Sequence, residues 1–149
     1  MYEQNAGPFL RVMHRFGRVS ANSISTNELT KTEFFCLGAI CNSGKENPEK
    51  GGIYVWELAR RTHSLPPAVS RTLRELEERG YIERSVDRED RRNIKVLPTA
   101  EGLAVWGRVE EKTQEFVDRV LARMGQENMD QLVSLCDRLC DIIEEEQSK

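Results

Sequence analysis

Apolar positions recur at helical spacing over most of this chain and at alternating spacing over one short stretch. Phe9, Val12, Met13, Phe16 and Val19 share one stripe, so residues 9–19 are expected to form an opening amphipathic helix. In Leu29-Thr30-Lys31-Thr32-Glu33-Phe34, Thr30 has a capping hydroxyl and Glu33 stands three residues later, where its carboxylate reaches back to the Thr30 amide. Leu29 can staple onto Phe34, and a second helix is expected from about Lys31 into Cys41. Residues 42–52, with three glycines and a proline, read as a loop.

Residues 53–62 read as a short third helix with Leu58 and Ala59 facing inward. His63-Ser64-Leu65 is then a tight turn. Pro66 and Pro67 sit where proline is welcome, in the first turn of a fourth helix whose amides lack partners in any case. That helix turns Val69, Leu73 and Leu76 inward, and Gly80 supplies its stop. Two helices joined by a three-residue turn make a helix-turn-helix. Residues 81–86 and 94–97 alternate around the charged run 87–93, the pattern of a β-hairpin, here the wing. A long helix follows from about 100 to 124 (Leu103, Trp106, Val109, Phe116, Val120, Met124). Gly125 separates it from a last helix through Leu132, Cys136, Leu139 and Ile143. The expected fold is mainly α with a small β-wing: one domain over residues 1–149 with a winged helix-turn-helix core at 53–98.

Composition sharpens this. At 149 residues and 38% hydrophobic content, the chain is lean for a lone compact globule, so some apolar surface is expected to be shared with a partner. No apolar run approaches the roughly 20 residues of a membrane span, and the N-terminus lacks a signal-peptide layout, which implies a cytoplasmic protein. The net charge of −3 argues against nucleic-acid binding until its distribution is seen. Residues 57–95 hold ten Arg or Lys against eight Asp or Glu, and the remainder twelve against seventeen, so a slightly basic segment sits between acidic flanks.

With Val69, Leu73 and Leu76 as the core stripe, Pro67, Arg71 and Arg74 fall on the opposite face of the fourth helix, with Ser70 on its flank. The start of that face is basic and its end, with Glu75, Glu77 and Glu78, is acidic. Only the start suits a phosphate-lined groove, which recognition helices enter N-terminal residues first. An isolated Arg-x-x-Arg is ordinarily a solvated face. The hairpin changes the weighing, because Arg88, Arg91 and Arg92 crowd a tip that no packing requires to be basic. Asp87 and Asp90 are expected to orient these arginines through short ion pairs, whose worth of roughly 0 to 1 kcal/mol makes their use positional.

The run from Val69 through Arg84, then Asp87-Arg88-Glu89-Asp90-Arg91-Arg92-Asn93, then Leu97-Pro98-Thr99-Ala100-Glu101-Gly102, closely resembles the MarR family of transcriptional regulators. The order of elements resembles it over nearly the whole chain, and the aspartate–arginine wing is its most specific part. The resemblance implies a homodimer made by terminal helices at residues 1–25 and 100–147. It also implies a recognition helix in the major groove of double-stranded DNA and wing arginines in the flanking minor groove. A small effector often releases the DNA in that family, from a cleft between the dimer helices and the DNA-binding lobe. Phe9, Met13, Trp56 and Trp106 are the candidate walls for a small aromatic effector here, although the two tryptophans taken by themselves read as core before they read as ligand wall. Two positions depart from the family pattern: His63 stands where a glycine is usual and Leu65 where a small capping residue is usual. The 42–52 loop is also somewhat long.

Other residues invite chemistry less. Cys136 and Cys140, four apart on the last helix, share the stripe of Leu132, Leu139 and Ile143, so they read as buried thiols, as do Cys36 and Cys41. His14 and His63 are too isolated for a metal cluster. No phosphate loop, nucleophile elbow or paired catalytic carboxylates appear, so neither an enzyme nor a cofactor is expected. The function expected is sequence-specific DNA binding by a transcriptional repressor relieved by an effector. Two rivals stand beside it: a winged-helix module for protein contacts without DNA binding, and a thiol-based redox-sensing regulator, which requires exposed, acidic thiols.

Overall fold

The computed structural model describes the backbone of residues 3–24 and 27–148 and the side chains of residues 7–20 and 27–148. The ends of the expected N-terminal dimerisation segment, residues 1, 2 and 25, lie outside the described residues. In order the elements are α1 (Glu3–Ile24), α2 (Lys31–Glu46), a single 3-10 turn (Pro48–Lys50), β1 (Ile53–Tyr54), α3 (Val55–Arg61), α4 (Pro66–Glu78), β2 (Ile82–Val86), β3 (Ile94–Pro98), α5 (Ala100–Met124) and α6 (Gln126–Gln147). They form two compact units, the described parts of Met1–Glu110 and of Glu111–Lys149.

In the first unit the capping box is formed as expected: Glu33 N donates to Thr30 Oγ1 at 3.3 Å and Thr30 N to Glu33 Oε2 at 2.8 Å. The helix does not end at Cys41. It runs a further turn to Glu46, because a single glycine costs a helix only about 1 kcal/mol and Arg61 Nη1 pairs with Glu46 Oε2 at 2.9 Å. The third helix likewise starts later than its periodicity suggests. Ile53 and Tyr54 are taken into a sheet of order β1-β3-β2, opposite Val96 and Lys95, where pairing with β3 supplies part of their backbone hydrogen bonding. A fully buried Ile53 anchors that strand.

Leu37, Leu58, Val69, Leu73, Leu76, Val96 and Val105 share the core between α2, α3, α4, the sheet and the first turns of α5. After α4 the chain turns at Gly80, φ +73°, where a side chain would be strained. Thr99 secures the next corner: its hydroxyl donates to Gly80 O at 2.6 Å and accepts from Gly102 N at 3.0 Å. A Cβ on Gly102 would stand 1.9 Å from Tyr81 O, so the approach of α5 to this turn admits glycine alone.

In the second unit, α6 has no buried residue, and Phe116, Val120, Leu132, Leu135 and Ile143 are among the unit's exposed apolar side chains. Cys136 and Cys140, expected as buried thiols, are exposed as well, since α6 buries none of its residues in the single chain. Among the described residues, no helix is long and apolar enough to cross a membrane.

Candidate nucleic-acid interface

Pro66 and Pro67 occupy the first two positions of α4, and Ala68 N and Val69 N both donate to Leu65 O, at 3.0 and 3.1 Å. No side chain caps this helix, so the usual capping residue is dispensable where prolines preset the backbone. The preceding turn forms with His63 at φ +49°, the one described non-glycine residue at positive φ. Val69, Leu73 and Leu76 are fully buried, and Thr72 satisfies its hydroxyl by donating to Ala68 O at 3.0 Å. Pro67, Ser70, Arg71 and Arg74 are exposed on the other side. Arg71 Nε lies 3.2 Å from Glu75 Oε1, but its side chain is 82% exposed, so this pair is weak and easily exchanged.

The wing tip corrects one expectation. Asp87 and Asp90 make no ion pair with Arg88, Arg91 or Arg92; they organise the backbone that carries them. Asp90 Oδ1 accepts Arg92 N at 3.0 Å and its Oδ2 accepts Asn93 Nδ2 at 3.3 Å. Asp87 Oδ1 accepts Glu89 N at 2.8 Å, while Oδ2 accepts the Tyr54 hydroxyl at 2.5 Å and pairs with Lys95 Nζ at 3.2 Å. In a tight turn a carboxylate finds amides two residues ahead sooner than it finds guanidiniums that project outward. Among the described residues the three arginines therefore form no ion pair, and all are exposed. The Tyr54 hydroxyl and then the Glu89 amide hold the Asp87 carboxyl well below the ordinary carboxylate range, and its charge in turn raises Tyr54 and Lys95.

Between α3, α4 and the wing lies a groove of about 420 Å³ whose lining includes Trp56, Pro66, Ser70, Arg84, Arg92 and Asn93. It brings residues of α4 and the wing together and adds two that sequence reasoning did not place beside them, Arg84 and Trp56. Arg84, 3.0 Å from Glu77, points outward on β2, which strand alternation allows but does not assign to this groove. Trp56 is 56% exposed, and the Arg60 guanidinium stands over it, 5.6 Å from the ring centroid.

The proposed effector walls are not brought together. Trp106, 6% exposed, belongs to the core: its ring centroid is 5.0 Å from that of Phe34 and it packs on Gly38, where a Cβ would lie 2.6 Å from the indole. Trp56 lines the groove beside α4, and Phe9 and Met13 are exposed on α1. Cys36 and Cys41 are buried, and burial pushes their thiols up to about 11 and about 12. No group of three or more metal-ligating side chains occurs among the described residues.

Three comparisons bear on this arrangement. The family model described as "MarR family" matches residues 29–94. The HTH-type transcriptional repressor Rv2887 of Mycobacterium tuberculosis is 31% identical over 121 residues, 78% of this chain and 82% of the repressor. The HTH-type transcriptional regulator SarZ of Staphylococcus haemolyticus is 32% identical over 82 residues, 55% of this chain, so the match spans about half (51%) of that regulator's own length. In fold, S. aureus MepR crystallised with DNA superposes with a TM-score of 0.75 at 18% identity, covering 93% of this chain and 96% of MepR.

Proposed function

Because the chain belongs to the MarR family, we propose that it is a cytoplasmic, sequence-specific regulator of transcription that binds double-stranded DNA as a homodimer and represses until a small effector releases it. The observation that carries this reading is the wing tip. Asp87 and Asp90 are engaged by backbone amides, Tyr54, Lys95 and Asn93, so Arg88, Arg91 and Arg92 stand exposed and without an ion pair among the described residues. Arginines that make no ion pair and project from a narrow hairpin suit an external polyanion, and a minor groove of negative potential takes arginine side chains of this kind. Beside them, Ser70, Arg71 and Arg74 offer hydrogen-bond donors from the first turns of α4, the part of a recognition helix that meets base edges.

Dimerisation is supported by the apolar side chains that α1 and α6 leave in solvent, Phe9, Val12, Phe16 and Val19 on the first and Leu132, Leu135 and Ile143 on the last. The family's effector release requires a ligand with different affinities for two arrangements of the dimer. Phe9 and Met13 remain candidates for contact with such an apolar ligand.

The decisive experiment isolates the DNA that the purified protein retains from a genomic library, then measures binding to that duplex and to a scrambled one across a salt series. Selection of a two-fold symmetric site and a steep salt dependence are expected. A module for protein contacts would show neither, and that result would end the DNA-binding reading.

A further inference from the structure

The groove beside α4 holds Trp56, which takes no part in the core and is not brought together with the other residues expected to wall an effector. With α4 in the major groove and the wing tip in the adjacent minor groove, the sugar-phosphate strand separating the two has to pass between them, over the groove that Trp56 lines. This placement of the strand rests on the DNA-binding reading above. Trp56 is 56% exposed, unusual for a residue type that is highly buried on average. It is also held firmly. Its ring is stacked on Tyr54, with centroids 5.9 Å apart and planes 13° apart, and Tyr54 is tied to Asp87 at the base of the wing. Arg60, one helical turn along α3, stands over the same ring. The exposed indole thus rests on a platform fixed to the wing, with a cation beside it and with Ser70 and Arg92 lining the same groove.

We propose that Trp56 is a DNA-contacting residue whose indole packs on the deoxyribose of the strand crossing between the grooves, with Arg60 pairing to the adjoining phosphate. Sugar and phosphate repeat at every step, so the contact sets register and affinity and carries no sequence information. An aromatic ring already stacked before DNA arrives loses little conformational freedom on binding, which makes it an efficient anchor.

The chain contains two tryptophans, and Trp106 is only 6% exposed, so a change in indole emission on adding a duplex reports Trp56. The selected duplex should shift or quench the emission of the full-length protein, and Trp56→Phe should abolish that change while still binding. Trp56→Ala should weaken binding to the selected and scrambled duplexes by the same factor, about tenfold, with an unchanged salt slope. Arg60→Ala should lower the slope by about one per protomer. Melting temperature and far-UV circular dichroism identify any variant that fails to fold, and Trp56→Phe keeps an aromatic ring on Tyr54 if alanine loosens α3. Unchanged emission on a duplex that the protein demonstrably binds, or a folded Trp56→Ala that binds as tightly as the parent, overturns the assignment. A parent that binds no duplex in a salt-dependent manner removes the DNA-binding reading itself, and this assignment with it.

Discussion

The hydroxyl of Tyr54 on β1 donates to Asp87 at the end of β2, a bond that reaches across 33 positions of sequence and fastens the wing to the strand that precedes α3. Lys95 closes the cluster from β3, 3.2 Å from the same carboxylate oxygen. The wing is therefore pinned at its base, while the arginines at its tip are exposed.

Releasing the pin should loosen the wing without touching the recognition helix. Asp87→Asn and Tyr54→Phe are expected to weaken binding to selected and scrambled duplexes alike, by about three- to tenfold, the worth of one net hydrogen bond. The ratio between the two duplexes should stay at the parent value. Asp87 also has a pH signature. Its carboxyl is lowered when folded, so its contribution to stability is present above the unfolded value of 3.8 and is lost as pH falls through the folded one. Thermal melts below about pH 4 should show a loss of stability that is smaller in Asp87→Asn.

Helix and wing should fail differently. Arg71→Ala is expected to cost roughly 1 to 3 kcal/mol on the selected site and to blur its sequence. Arg91→Ala or Arg92→Ala should instead weaken all sequences and lower the salt slope by about one for each phosphate no longer neutralised, hence about two per dimer. Titrations of both duplexes over a salt series separate the outcomes. If Arg71→Ala reduced affinity equally for both duplexes, α4 would not be reading base edges.

Gly102 and Gly38 should tolerate no side chain. A methyl group on Gly102 meets the Tyr81 carbonyl, which is backbone and already accepts Thr99 N at 3.0 Å, so α5 has to shift away from the turn. Gly102→Ala is expected to destabilise by at least about 1 to 3 kcal/mol. Gly38→Ala, which presses on the Trp106 ring, should cost about the same. Differential scanning calorimetry measures both. Gly44→Ala, with nothing within 4 Å, serves as the neutral or stabilising control.

The buried thiols predict an alkaline limit. Cys36 and Cys41 ionise at about 11 and about 12 when folded against 9.0 when unfolded, so their contribution is full below about pH 9 and is lost as pH rises through the folded values. The melting temperature should fall above pH 9, and both thiols should resist a disulfide reagent at pH 8 until denaturant is added. Rapid reaction of either in the native protein would show that this part of α2 opens.

The exposed stripes predict self-association. Light scattering should give a dimer at micromolar concentration, and Leu135→Glu or Phe16→Glu, each placing a charge on an exposed apolar side chain, should yield monomer. A monomeric parent would remove the homodimer from the proposal.

Much of this protein is written in signals that act within one helical turn. The Thr30–Glu33 capping box, the prolines opening α4, Gly80 and Gly125 place helix ends because each satisfies or releases backbone groups only a few residues away. The exposed face of α4 follows from the same logic, since burying Val69, Leu73 and Leu76 leaves Ser70, Arg71 and Arg74 outside. Periodicity marks a stripe as apolar, however, and does not say what covers it. The packing of distant elements makes Trp106 core and Trp56 surface, leaves Cys136 and Cys140 in solvent, and turns Ile53-Tyr54 from the expected helix start into a strand on β3. The wing aspartates follow the same rule. Their charge suggested arginine partners, but the hairpin's fold puts backbone amides, Tyr54 and Lys95 nearer, and proximity in space sets which hydrogen bonds form.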